Sequence, residues 1–318
     1  MKLFSKQNII WVVSLVISML LIDTLIAQSI LTQSSELTLV SILINIMLAV
    51  SLNLVIGIAG QFSLGHAGFM AIGAYSGAII NKQVPGVLGL LVGILVGAIL
   101  AGVLAVCVGI PTLRLSGDYL AIATLGTSEI IRIIISNADN ITNGAAGISN
   151  IPDTATWSIV FIFMILTVMF VSNYIRSSSG RATLAIRENE IAAEVMGVHI
   201  LKYKVIAFVF GAICASIAGS LYGSYIGVIT PNDFSFQNSI DVLIIVVFGG
   251  IGSMTGSVIS SIVLGLINVF LQSLGVWRTI IYAVLLLLVM IFRPKGLLGQ
   301  KEFSLSTFLK AKKGGVDR

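Results

Sequence analysis

The stretch GVLGLLVGILVGAILAGVLAVCVGI, residues 86–110, decides the fold class of this chain. It carries no charged side chain and exceeds the roughly 20 apolar residues that an α-helix needs to cross the hydrocarbon of a bilayer. A helix suits such a segment because its backbone N–H and C=O groups satisfy one another without water. Within it Gly89, Gly93, Gly97, Ala101, Ala105 and Gly109 recur every four residues. That spacing lays small side chains along one helix face, so a neighbouring backbone can approach closely and packing replaces the hydrophobic drive that lipid does not supply. A second ridge of the same period runs through Gly211, Ala215, Gly219, Gly223 and Gly227.

The same character extends outward over the chain, whose 318 residues are 57% hydrophobic and 10% charged, with a mean hydropathy of +1.07. Soluble domains of this length do not have that composition, and the alternation of a membrane β-barrel is missing from the pattern. The reading is an all-α, polytopic membrane protein of about ten helices, eight to ten in all. Candidate spans are 8–27, 37–56, 62–80, 86–110, 119–135, 157–175, 205–226, a short run at 240–248, 258–274 and 277–292. All five prolines fall between these runs or at their ends, where a missing N–H costs least. The first run follows Lys2 and Lys6, but Leu25-Ile26-Ala27 lacks a small-x-small cleavage pattern, so it reads as a retained span. The 240–248 run is too short for an ordinary crossing, and Gly249, Gly250, Gly252 and Gly256 follow it. A broken or re-entrant helix is expected there. Residues 1–299 form one membrane domain in this reading, with a basic tail at 300–318.

The net charge of +5 reports orientation and no nucleic-acid partner, because the basic residues sit between and after the spans. Placing the N-terminus in the cytoplasm gives the inside Lys2, Lys6, Arg114, Arg176, Arg181, Arg187, Lys202, Lys204 and the tail, and leaves the outside Lys82 and Arg278. Both termini are then cytoplasmic. Glu129 and Arg132 share a span at i, i+3 and are expected to neutralise each other. Cys107 and Cys214 fall inside apolar runs without metal-ligand spacing, and Gly-Lys never occurs. A P-loop, and with it ATP binding by that route, is excluded. With no nucleophile set, metal cluster or cofactor motif, an enzyme reading has little support.

Most of the interior charge lies in RSSSGRATLAIRENEIAAEVMGVHILKYK, residues 176–204. Gly180, Arg181, Arg187, Glu188, Glu190 and Glu194 would keep one helical face wet, while Leu184, Ile191 and Val195 recur as a narrow apolar stripe. This predicts a short helix outside the bilayer, ended by Gly197 in a left-handed cap, either docked in a partner's groove or solvated. Two glycine-rich segments stand apart: GIAGQFSLGHAGFMAIG (57–73), with Gln61, Ser63 and His66, and GGIGSMTG (249–256), with Ser253 and Thr255. Interrupted apolar segments of this kind point to a transport pathway, where freed backbone groups meet a polar solute. His66 alone reads more readily as a hydrogen-bonded packing residue. The loop 136–156, rich in Asn, Asp, Thr and Gly, is expected to be an irregular surface connection, serving as linker, gate or docking element.

Four ordered stretches together resemble a known family: GQFSLGHAGFMAIGAY (60–75), LRLSGDYLAIATLGTSEIIR (113–132), GRATLAIRENEIAAEVMGV (180–198) and SFQNSIDVLIIVVFGGIGSMTG (235–256). They are similar to the inner-membrane permeases of branched-chain amino acid ABC importers, of the LivM type. The resemblance departs at Asn143–Ile148, where a second glycine is expected after Thr142. It implies an ABC importer permease fold in a bacterial or archaeal cell membrane and transport by alternating access. It also implies partners: separate ATPase subunits, a second related permease and an extracytoplasmic substrate-binding protein. Ala192-Ala193 with Gly197 resembles the signature by which such permeases contact their ATPases. On that basis Arg181, Arg187, Glu190 and Glu194 are expected as polar contacts, with Ile191 and Val195 as the apolar anchor. Gln61, Ser63, His66, Ser253 and Thr255 are the pathway candidates. Three rivals stand beside this reading: a related permease for urea, short amides or another amino acid; an ion-coupled transporter, which would need a titrating carboxylate such as Glu129; and a membrane enzyme or scaffold.

Overall fold

The computed structural model describes residues 33–115 and 117–271, with isolated positions at 24, 277, 280, 281, 284, 287, 296, 297 and 299. The expected first span, 8–27, lies outside the described residues except at position 24, and the tail 300–318 lies wholly outside them. The expected last span is described at five positions only, all helical and exposed.

Three helices form the centre: α2 (His66–Gln83), α3 (Val87–Thr112) and α8 (Ile200–Ile226). Their glycines explain how they meet. A Cβ on Gly73 of α2 would lie 2.6 Å from the Ser216 Cα of α8, and one on Gly219 of α8 would lie 2.8 Å from the Met70 carbonyl carbon. At two glycines of α2, a Cβ on Gly93 of α3 would sit 2.9 Å from Gly77 Cα, and one on Gly97 would sit 3.1 Å from Gly73 Cα. Both four-residue ridges therefore face α2, which is buried along most of its length. Wrapped by protein, α2 needs no lipid-compatible surface and carries His66, Ser76, Asn81 and Lys82. The outer face of α3 exposes Leu88, Leu91, Leu95, Ile99 and Val103 instead.

Around this trio stand α1 (Gln33–Asn53), which runs on through a π-turn at Leu54–Ile58, α4 (Asp118–Asn137) and α5 (Trp157–Arg176). Among the described residues five segments are long and apolar enough to cross a membrane: α3, α4, α5, α8 and Ser34–Ile58. The chain is a multi-pass membrane protein. The expected break after residue 248 is present: α9 (Phe236–Gly249) and α10 (Met254–Phe270) meet at a bend of 117°.

Several boundaries differ from the expectation, with α1, α9 and α10 each beginning four residues early. The helix expected from residue 62 begins at His66, because residues 59–65 leave helical geometry after the π-turn. α8 begins five residues early, at Ile200, because Lys204 is neutralised by Glu190 at 2.9 Å and so fits a helix side. The helix expected over 181–197 is two helices, α6 (Ser178–Glu188) and α7 (Glu190–Val195).

At the end of the bundle away from α6 and α7, the loop 138–156 is well organised. It contains a one-turn helix, Asp139–Thr142, and a 3-10 turn, Gly144–Ala146. Ile148 pairs with Ile229 in an isolated antiparallel bridge. The Asn81 amide donates to the Pro152 carbonyl at 3.0 Å and to Thr154 Oγ1 at 2.8 Å, and Lys82 donates to the Ser149 carbonyl at 3.0 Å.

Candidate coupling and translocation site

The 176–204 segment folds by local capping. Ser177 Oγ accepts the Gly180 N–H at 3.1 Å to start α6. Gly180 lies where a Cβ would come within 2.6 Å of the Ile175 carbonyl oxygen, so α6 turns tightly under α5. Tyr174 and Thr183 share a hydrogen bond of 2.9 Å across that corner. Asn189 then takes an extended backbone, φ −159°, and its side chain accepts the Ala192 N–H at 3.0 Å. Asparagine caps a helix better than it continues one, which breaks the single expected helix. α7 ends as the sequence predicts: Gly197 has φ +82°, its N–H reaches the Glu194 carbonyl at 2.9 Å, and the Val198 N–H reaches Ala193 at 3.0 Å. These are the paired bonds of a Schellman cap.

The break also changes which side chains face outward. Ile191, Val195 and Met196 are 76%, 81% and 83% exposed, whereas Ala193 is buried and Leu184 half-buried. Ala192, Glu194 and Arg181 are exposed, and Arg181 Nη1 donates to the Arg176 carbonyl at 2.9 Å. An open cavity of about 800 Å³ lies between α7, the start of α8 and the end of α3, with Arg114, Glu194 and Lys202 in its lining. Arg187 departs from its expected outward place. Its Nη1 donates to the Gly57 carbonyl at 2.7 Å while its Nε and Nη2 engage Glu188.

Inside that contact the two glycine-rich segments meet. A Cβ on Gly57 would stand 2.7 Å from Gly252 Cα. Asn53, fully buried at the end of α1, joins them: its Oδ1 accepts the Gly252 N–H at 2.8 Å, and its Nδ2 donates to the Ser253 carbonyl and to Ser257 Oγ, each at 2.8 Å. Ser253, a pathway candidate, has its Oγ accepting the Gly256 N–H at 3.0 Å and so caps α10. Thr255 is half-buried, with its Oγ1 3.3 Å from that hydroxyl.

The other three candidates surround the start of α2. His66 is buried, with its Nε2 2.8 Å from Ser51 Oγ. Ser63 Oγ lies 3.4 Å from the Gly65 N–H that it accepts. Gln61 is 2% exposed, and neither its Oε1 nor its Nε2 has a hydrogen-bond partner among the described residues. A buried amide left this way is costly, which sets Gln61 apart from His66. Thr124 Oγ1 accepts the Leu64 N–H at 3.0 Å, and Ser239 Oγ accepts the Ala67 N–H at 3.1 Å. Two helix breaks, an uncommitted buried amide and small hydroxyls thus converge near the α6 end of the bundle. Glu129 and Arg132 pair at 2.8 Å elsewhere, on α4.

A family described as "Branched-chain amino acid transport system / permease component" matches residues 34–292. The chain belongs to that family. The permease is 32% identical over 290 residues to the high-affinity branched-chain amino acid transport system permease protein LivM of Escherichia coli, covering 80% of this chain and 68% of that protein. It is 28% identical over 277 residues to a probable LivM of Methanocaldococcus jannaschii, covering 79% of each chain. A shorter similarity, 30% over 148 residues, joins it to the LivH permease of Escherichia coli, across 46% of this chain and 47% of that one. No solved structure matches the chain significantly.

Sequence reasoning missed Asn53, Ser51, Thr124 and Ser239. In sequence a packing role and a network role look alike for small polar side chains of this kind, and their partners lie up to 204 residues away.

Proposed function

We propose that the permease carries leucine, isoleucine and valine across the cell membrane as one subunit of an ATP-binding cassette importer. Separate ATPase subunits supply the energy, a second, LivH-like permease completes the channel, and an extracytoplasmic binding protein delivers the amino acid. The observation that carries this reading is the exposed apolar group Ile191, Val195 and Met196 at a short capped helix that also carries Glu190 and Glu194, with Arg181 exposed on the preceding α6. Apolar side chains so exposed, on a loop outside the spans, favour a protein partner. Ala192, Ala193 and Gly197 shape the turn that presents them. This end of the bundle is cytoplasmic by its basic residues, so the loop 138–156 faces the binding protein and both termini lie inside. Residues 1–299 act as one domain, with 300–318 as a basic tail against the inner leaflet.

Transport follows from the two breaks. Closure of the ATPases moves α6 and α7, the π-turn and the α9–α10 bend shift together, and the core opens first outward and then inward. Gln61 supplies an amide to the passing zwitterion; Ser63, His66, Ser253 and Thr255 line the surroundings of that passage, with contacts weak enough to allow release. Selectivity resides in the binding protein.

The test is uptake of labelled leucine into vesicles holding the permease, its permease and ATPase partners and the binding protein. Uptake requires ATP, is competed by isoleucine and valine, and is not competed by urea. ATP-independent uptake driven by an ion gradient would defeat the reading.

A further inference from the structure

We propose that Arg187 is the positioning residue through which movement of the 176–204 loop reaches the two interior helix breaks. This rests on the reading of that loop as the ATPase contact. Arg187 lies on the last turn of α6, two residues before the Asn189 break that separates α6 from the exposed α7. Its charge is not left to solvent: the side chain is 23% exposed, and its Nη1 donates to the Gly57 carbonyl at 2.7 Å. That carbonyl belongs to the last turn of the first described span, where carbonyls lack partners within the helix and the helix dipole favours a cation.

The slot Arg187 fills is built by glycines on both breaks. A Cβ on Gly60 would sit 3.0 Å from Arg187 Cγ, and one on Gly252 would sit 3.2 Å from Arg187 Nη1. One planar side chain therefore contacts the π-turn of α1 and the α9–α10 bend at once. Asn53 ties the same two breaks together with three hydrogen bonds behind it. Two other polar contacts of the loop lead elsewhere: Tyr174–Thr183 holds α6 to the end of α5, and Lys204–Glu190 holds α7 to the start of α8. A displacement of α6 must carry Gly57 and Gly252 with it or break the Arg187 bond. The outer partner, Glu188, only orients the guanidinium.

The test uses the complete importer, purified with its ATPase subunits and binding protein and reconstituted in lipid vesicles. Three quantities are read: ATPase subunits retained, ATP hydrolysed and leucine taken up. Arg187→Gln should retain the ATPases and hydrolyse ATP within about twofold of wild type, while uptake per ATP falls about tenfold, inside the range of ordinary coupling between sites. Arg187→Lys, which reaches the Gly57 carbonyl but lacks the fork, should lose about threefold, and Glu188→Gln should match wild type. Uptake per ATP within twofold of wild type for Arg187→Gln would overturn the proposal. So would hydrolysis falling in step with uptake, or equal losses for Glu188→Gln and Arg187→Gln. Should Arg187→Gln fail to reach the membrane, Arg187→Lys decides by the same ratio: a loss supports the proposal, and a wild-type ratio overturns it. A wild-type permease that holds no ATPase subunit would defeat the reading of the loop itself, and the proposal with it.

Discussion

Replacing Gly73 with alanine tests the packing that holds the centre together. The new Cβ would lie 2.6 Å from the Ser216 Cα, against about 3.5 Å for a relaxed carbon contact. The Ser216 carbonyl oxygen lies closer still, so α2 and α8 must part by more than about 0.9 Å. That separation loosens the Ser220 hydroxyl's 2.8 Å bond to the Gly73 carbonyl and the approach of Gly97 from α3. Overpacking costs about 1–3 kcal/mol and a weakened buried hydrogen bond about 1 kcal/mol more, so Gly73→Ala should lose about 2–4 kcal/mol. The permease carries its own reporter, since Cys214 on α8 is buried and becomes reactive to thiol dyes only when the core opens. Thermal unfolding in detergent, followed by labelling of Cys214 in a variant lacking Cys107, should show a midpoint lower by about 4–16 °C. Gly126→Ala is the control: nothing lies within 4 Å of its Cβ position, and alanine favours a helix by up to about 1 kcal/mol. Its midpoint should hold or rise. If Gly73→Ala melts with wild type, or Gly126→Ala loses as much, the ridge account is wrong.

Asn53→Ala removes three hydrogen bonds between the breaks. It leaves the Gly252 N–H unpaired and should destabilise the permease by about 2–4 kcal/mol, read as earlier Cys214 labelling. Ile191→Asp with Val195→Asp removes two apolar anchors, each contributing about 1.5–3 kcal/mol when buried. ATPase co-purification should fall by at least about a hundredfold while the amount of permease in the membrane is unchanged. Glu129→Gln with Arg132→Gln removes the α4 ion pair as a unit, and ATP-driven leucine uptake should stay within about twofold; its abolition would move the assignment to an ion-coupled transporter.

Much of this fold was legible because membrane packing writes itself at short range. The ridges on α3 and α8 repeat every four residues, and Gly93, Gly97, Gly219 and Gly223 at their centres face α2 in the structure. Gly249 to Gly256 announced the bend between α9 and α10, and Gly197 announced the end of α7. What escaped depends on partners distant in the chain. Lys204 looked like loop until Glu190 neutralised it, and Asn189 looked like one polar residue among several until its side chain took the Ala192 N–H. Asn53 gave no local signal, since its partners lie about 200 residues on. A charge in a loop is most often solvated, and for Arg187 only the carbonyl freed at the π-turn reverses that. At the candidate site the sequence marked Gln61 among glycines, while the lack of a partner for its buried amide required the folded chain.

The most direct measurement is photo-crosslinking from a single reactive residue placed at Val195, in native membranes, with the adduct identified by mass spectrometry. The account predicts one dominant adduct with an ATPase subunit, lost when Ile191 is changed to aspartate and retained when Arg187 is changed to lysine. Adducts with lipid alone, or with no protein at all from a residue 81% exposed, would contradict it.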